Sequence, residues 1–589
     1  MRYGHFLRAI ALFSTILIGQ PLLAQLTEEQ KVHDFQNLAG LYAKTYAPSE
    51  WKKQLFGYDV LNIDPWLDLV RRSKSDLEYI EVCLRYVARL NDSHSAFFFN
   101  SSFAADAGFY VDLYGDQVLV EAIDRSIVPV SIPIRAGDEL LAIDGKPVAQ
   151  LVDEFLPLIG DANERMRKRM AVDLLTFRYQ QAWPRAIDLP DASVFQIRHQ
   201  TGTVASYTIT WDKFGFPIRQ VGPVTTPGSK ALARTAAQDE AESGFELWNF
   251  STNLTPAQLR RNTAQAKIAR ALDAGDEPAV EGMLIGFGSI TPRFAIPGNF
   301  TIRRGRGIAD NFFTASYEVA GKKIGYLRIP SFAPANLSAA LTELITEVSF
   351  FNANTDGLVI DVTKNPGGDA CYLRSVLSML IPVRFTYEKL EIRPTIRNVN
   401  SATAALESAQ LSGADADTIA GYKNTLEAIK TAYAANHGMT PPVPLCAATA
   451  EVEPLKFSNG DVFAYSKPLI VLTDDFSASG ADVFPAVMQD ANRGPIVGMY
   501  TTGAGGTVVG SIMTGIYSES AAYTTSSLIV RSKPVNYPGT PATSYIENIG
   551  VRPDIFLDYM VPENLLLAGR PFVNNFTGAI LAEILKTGK

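Results

Sequence analysis

PLIVLTDDFSASGADVFPAVMQDANRGPIVG, Pro468 to Gly498, decides the fold. Leu469 to Leu472 is a short apolar, β-branched run and predicts a buried strand. Thr473 to Phe476 is a polar break. Beyond it Val483, Phe484, Val487 and Met488 recur at helical spacing. The small residues Ser477-Ala478-Ser479-Gly480 therefore stand where a strand turns into a helix. Free backbone N–H groups and the positive end of a helix dipole lie there, and small neighbours let a carbonyl approach. The plainer reading of such a turn is an N-cap. Pro485 falls inside a helix begun at Gly480, at a cost of about 3 kcal/mol, so a kink or a later start is expected.

The 589 residues suffice for two to four domains with a large core. With 47% hydrophobic and 19% charged residues the chain is globular, not disordered. A formal net charge of −8 argues against nucleic-acid binding and offers no basic patch to a membrane surface. GAGGTVVG, Gly503 to Gly510, lacks the full glycine pattern and following acidic residue of a dinucleotide loop. Cys83, Cys371 and Cys446 have no metal-ligand spacing. Neither a metal nor another cofactor is expected, and which cysteines pair stays open.

Residues 1–24 read as a signal peptide. Arg2 and Arg8 precede an apolar run over Ala9 to Ile18, and the exit ends in the small residue Ala24. No later run is long enough to span a bilayer. The mature protein is expected to be periplasmic or secreted, with a disulfide permitted.

Downstream, residues 25–105 show a broken helical stripe through Trp66, Val70, Leu77, Ile80, Tyr86 and Leu90. It runs into Asp92-Ser93-His94-Ser95, where the plain reading of His94 is a helix-end residue. Residues 106–205 are strand-rich. The Asp144-Gly145 turn between two β-prone runs closes a segment, Ala136-Gly137-Asp138 to Val148, that resembles the core of a PDZ domain. That resemblance implies capture of an extended protein or peptide segment.

Residues 206–320 read as linker. From 321 to 589 the pattern is α/β. Ile324–Ile329 is a strand, Asn336 caps a helix, and Leu358–Val362 is a second strand. It runs into Asn365-Pro366-Gly367-Gly368 and another helix. An Ala-rich helical insertion spans about 400–455.

IGYLRI, LVIDVTKNPGG, LIVLTDDFSASGADVFPAVMQD and IENIGVRPDI stand in one order. Together with the PDZ-like turn they resemble the C-terminal-processing (tail-specific) peptidase superfamily of serine proteases. The resemblance implies a crotonase-like α/β catalytic core built of βαβ units, behind an N-terminal helical region and an inserted PDZ-like domain. It makes Ser479 the nucleophile, with an oxyanion hole from the N–H of Gly480 and of Gly367 or Gly368. The family's usual lysine slot holds Ala504. A hydroxyl needs some base to become a nucleophile.

Tricorn-type proteases and the chlamydial protease-like activity factor form a branch that uses His and Glu instead. The matching positions are His94 and Glu547. The expectation is an exported serine endopeptidase that is a self-processing homodimeric zymogen, its internal inhibitory segment within 206–320. Asp490 and Arg493 are expected to be structural. Ala504 favours the alternative, a non-catalytic peptide-binding protein that keeps the fold.

Overall fold

The computed structural model describes residues 25–223, 260, 261, 264, 280–282, 292, 294, 297, 299–305, 310–446 and 448–587. The signal-peptide expectation and most of the expected inhibitory segment lie outside the described residues.

The carboxy-terminal half is built on a mixed sheet. Its strands run in the order Thr301–Arg304, Phe313–Val319, Lys322–Arg328, Gly357–Asp361, Leu469–Thr473, Ile496–Gly498 and Ile555–Phe556. The first three are antiparallel and the rest parallel. Continuous apolar runs such as Leu358–Ile360 and Leu469–Leu472 suit strands covered on both faces. Leu358, Ile360 and Val471 point into one layer with the helices Leu337–Asn354, Ala370–Ser378 and Gly480–Asp490. Val359, Ile470 and Leu472 point the other way, toward Phe572, Phe576 and Ile580 of the helix Arg570–Thr587. Asn336 caps its helix by accepting from Ala339 N–H at 2.9 Å.

The helix after the small-residue turn starts at Gly480 and continues through Pro485. A later start is not taken. Burying Val483, Phe484, Val487 and Met488 is worth about 1.5–3 kcal/mol each, which outweighs the proline.

The PDZ-like body is a separate β-layer with its own apolar core. Asp144 (φ 50°) and Gly145 (φ 78°) form its tight turn. Ala104–Asp106 is the middle strand of a small additional sheet, antiparallel to Asp212–Phe214 on one side and to Phe177–Tyr179 on the other. The helices Val148–Phe155 and Glu164–Asp173, not anticipated from the strand-rich pattern, close this body. The expected insertion is a helical hairpin, Ile396–Leu411 and Ala416–Ala434. Cys371 and Cys446 form a disulfide, and Cys83 is a buried free thiol.

Residues 28–88 are helical, but the expected helical region does not stay so to 105. Ala96–Phe99 is a strand, paired antiparallel with Ser520–Val535 in the register Ala96↔Tyr523. Its aromatic run is buried there. This pairing carries the amino-terminal third into the carboxy-terminal half. Ala47 N–H donates to Thr525 O, Tyr42 Oη to Tyr523 O and Trp51 Nε1 to Glu547 O. Among the described residues no helix is long and apolar enough to cross a membrane.

Candidate active site

Ser479 is the residue before the helix Gly480–Asp490, with φ 56° and ψ −113°. A side chain in that region costs about 1–3 kcal/mol, so the surroundings must hold it there. They do so from two sides. Asn365 O accepts from Ala478 N–H at 2.9 Å, and Ser477 O accepts from Thr502 N–H at 2.9 Å. The Asp482 carboxylate accepts from Ser479 N–H (2.8 Å), Gly503 N–H (2.8 Å), Ala504 N–H (3.0 Å) and Thr501 Oγ1. Burial pushes Asp482 up to about 6, against the pull of those four donors. Ser477 is committed elsewhere. Its Oγ donates to Val362 O at 2.9 Å and it is fully buried.

The glycine turn lies against Ser479. A Cβ on Gly367 would meet Gly480 N at 2.6 Å and Ser479 Cβ at 2.7 Å. Gly367 (φ 97°) and Gly368 (φ 148°) both use backbone that favours glycine. Their amides differ. Gly367 N–H donates to Asn365 Oδ1 at 2.8 Å. Among the described residues, the Gly368 and Gly480 amides have no acceptor. A Cβ on Gly480 would lie 3.2 Å from Gly368 N, so the two free amides are neighbours.

His94 follows the helix Asp76–Ala88 in a short turn. Asp92 shapes that turn by accepting from His94 N–H at 2.8 Å, Ser95 Oγ at 3.1 Å and Thr525 Oγ1 at 2.7 Å. His94 and Ser479 line one cavity of about 140 Å³ together with Ala504 and Pro366. Leu84, Val87, Leu158, Ile159, Met166 and Met170 supply apolar wall, and Asp161 is an acidic group in it. Burial holds the His94 imidazole below its usual range, with Asp92 opposing and Lys52 reinforcing. Its Nδ1 is buried and has no hydrogen-bond partner. Burial likewise pushes Asp161 up to about 6, against a bond from Ser93 and the charge of Arg167.

Glu547 is fully buried. Its Oε2 accepts from Gly505 N–H at 2.9 Å, next to cavity residue Ala504. Its Oε1 accepts from Lys52 Nζ, a residue of the helix Ser49–Phe56. Burial pushes Glu547 up to about 7, opposed by Lys52 and reinforced by Asp92. The structure thus brings His94 and Ser479 to one cavity and Glu547 to its border. Neither Glu547 oxygen is bonded to the ring.

Asp490 and Arg493 serve packing. Asp490 pairs with Arg531 at 2.6 Å, and Arg493 donates to Leu380 O, Tyr465 O and Lys467 O. The sequence reading missed Asp482 and Lys52. Asp482 had a signal in the Ser479-x-x-Asp482 spacing of a capping box. Lys52 had none, because its partner is 495 residues away. Among the described residues, no cluster of His, Cys, Asp or Glu could hold a metal ion.

Residues 323–557 match peptidase family S41, and residues 104–218 match a PDZ domain. The chain carries a PDZ domain and an S41 peptidase domain. A protein of Chlamydia trachomatis is 26% identical over 568 residues, covering 90% of this chain and 88% of the relative. One of Chlamydia muridarum is 25% identical over 603 residues, covering 95% and 94%. The structure of mature CPAF complexed with lactacystin superposes with a TM-score of 0.70 at 22% identity, covering 95% of this chain and 99% of that one. The protease fold of the S41 domain, its PDZ domain and the helical region before them are therefore shared with CPAF.

Proposed function

We propose that the chain is an exported serine endopeptidase in which Ser479 is the nucleophile, His94 the general base and Glu547 the acid partner. The observation that carries this is the Ser479 turn. A strained hydroxyl-bearing residue at a helix N-terminus shares a cavity with an imidazole held neutral by burial. Ser479 Oγ attacks the peptide carbonyl while His94 takes its proton, then returns it to the leaving amine. The developing oxyanion is met by the Gly480 and Gly368 amides. Gly367 is set aside because its N–H already serves Asn365. Ala504 leaves no lysine at the usual base position, so the imidazole carries that role. Glu547 acts on the Nδ1 edge of the ring, directly or through one water.

Self-processing of a homodimeric zymogen belongs to the same reading. Its support is the way a few described residues of 206–320 meet the PDZ domain. Val280–Gly282 adds antiparallel to Ala122–Asp124. Arg260 donates to Asp106 at 2.6 Å and stacks over Tyr110, and Arg261 donates to Asp173 at 2.9 Å. One edge of the PDZ sheet is thus partly occupied by the chain itself, and sheet edges are where extended peptides add as strands.

The second reading, a peptide-binding protein without catalysis, is favoured by the unpartnered His94 Nδ1. Cleavage of an unfolded protein substrate separates the two. Wild type should cleave, and Ser479→Ala and His94→Ala, both folded, should not. Equal cleavage by wild type and Ser479→Ala would remove the proposal.

A further inference from the structure

Lys52 is a fully buried lysine with no place in the serine-protease step above. It stands on the helix Ser49–Phe56, in the amino-terminal region, and does not line the cavity. Its ammonium donates to three acceptors: Asn91 O at 2.9 Å, Glu547 Oε1 and Asn548 Oδ1 at 2.5 Å. Asn548 Nδ2 also donates to Asn91 O, at 2.7 Å. Three donors and three acceptors leave the ammonium satisfied, which a buried cation requires.

The acceptors come from two turns. Asn91 begins the turn that carries Asp92 and His94. Glu547 and Asn548 belong to the turn opposite. Both asparagines have positive φ, 48° for Asn91 and 60° for Asn548. Each turn is therefore in a conformation that needs outside support. Lys52 supplies it to both at once, and it brings the only cation bonded to Glu547 among the described residues.

We infer that Lys52 is a positioning residue of the catalytic set that acts through Glu547, holding its carboxylate in place beside the His94 turn. The inference rests on the Ser479/His94/Glu547 reading. In family members with a lysine base, the amine acts on the serine. Here an amine from another part of the chain acts one step further back, on the acid.

The groups facing Glu547 are known from each packed element. Lys52 comes from the Ser49–Phe56 helix, Asp92 from the histidine turn, Tyr46 from the end of the first helix, and the Gly505 amide from the loop before the next strand. Of these, Asp92 disfavours the ionised carboxylate, while Lys52 and the amide favour it. Taking Lys52 away leaves the amide alone against burial and Asp92. The carboxyl then holds its proton to higher pH.

The test is the pH dependence of peptide hydrolysis by the full chain, with Lys52→Met, Lys52→Arg, Glu547→Gln and the double variant Lys52→Met/Glu547→Gln. Melting curves check that each is folded. Lys52→Met should lose about tenfold or more in kcat near pH 7, with KM little changed. Its rising limb should move up by about one pH unit or more. Lys52→Arg, which keeps the cation, should restore the wild-type limb.

Loss of the buried cation alone could unfold Lys52→Met, so the double variant, with a neutral pair, gives an independent answer. If Lys52 acts through Glu547, the double variant has the kcat of Glu547→Gln alone. A folded Lys52→Met with wild-type kcat and an unmoved limb overturns the inference. So does a double variant about tenfold below Glu547→Gln. Wild type that fails to hydrolyse peptide at all would instead sink the protease reading on which this rests.

Discussion

Thr525 Oγ1 donates to Asp92 Oδ2 at 2.7 Å, across 433 residues of sequence. Beside it the strand Ala96–Phe99 pairs with Ser520–Val535. The two together fix where the imidazole stands relative to the S41 sheet. Thr525→Val keeps the shape and removes the donor. It should cost about 1–3 kcal/mol of stability, because the buried Asp92 carboxylate loses a partner. It should also lower kcat about tenfold with KM unchanged, through a displaced His94. Chemical denaturation and steady-state kinetics on one preparation read both.

Asp482 links the nucleophile turn to the loop holding Ala504 through four donors. Asp482→Asn must set an NH₂ group against amides that also donate. We expect about 1–3 kcal/mol of lost stability. The kcat should fall about a hundredfold as the Ser479 backbone relaxes from its strained φ. A variant with full kcat would show that the turn holds itself.

Gly368→Ala places a Cβ 2.1 Å from Phe332 C, in backbone with φ 148°. The turn must shift, carrying away one of the two amides proposed to meet the oxyanion. A fall in kcat of about 10²–10³-fold is expected, the usual effect of losing one such donor. Asn365→Ala frees the Gly367 amide without touching Gly368 and should cost far less in kcat.

Activity and stability should respond oppositely to pH between about 5 and 8. Glu547 is raised from an ordinary 4.5 to about 7, so the folded state holds this proton more tightly than the unfolded chain. Its contribution to stability is full below pH 4.5 and is lost as pH rises through about 7. The proposed mechanism needs the carboxylate, so kcat should rise over that same interval. Burial lowers His94 from its ordinary range, so its limb lies on the acid side of that of Glu547. Glu547→Gln should remove the limb near 7 from both curves and leave the stability change due to Asp482 and Asp161, both raised to about 6, as melting temperature and kcat against pH will show.

The disulfide closes a loop with a sequence separation of 75 around the helical hairpin. Its reduction should cost about 2–4 kcal/mol. Native protein should take no iodoacetamide, because burial pushes the Cys83 thiol up and the other two cysteines are bonded. After mild reduction, adducts should appear on Cys371 and Cys446 alone, as peptide mass mapping would read.

Much of the S41 core was legible in the chain, because its strands are continuous apolar runs and its turns carry glycine pairs. The segment from Leu469 to Met488 shows why: strand, break and helical stripe are all local signals. A helix start at Gly480 with Pro485 inside was not legible because packing of Phe484 and Val487 is a tertiary term. The strand Ala96–Phe99 was hidden because a four-residue aromatic run has no period that separates strand from helix. Lys52 was hidden for a deeper reason. A lysine on a short helix reads as solvated surface until its partner, Glu547, is known to close over it.

Fluorophosphonate labelling followed by peptide mass mapping tests the central claim most directly. In wild type the account predicts a single adduct on Ser479, abolished by His94→Ala in a protein that still melts cooperatively. An adduct elsewhere, or undiminished labelling of Ser479 in folded His94→Ala, would contradict it.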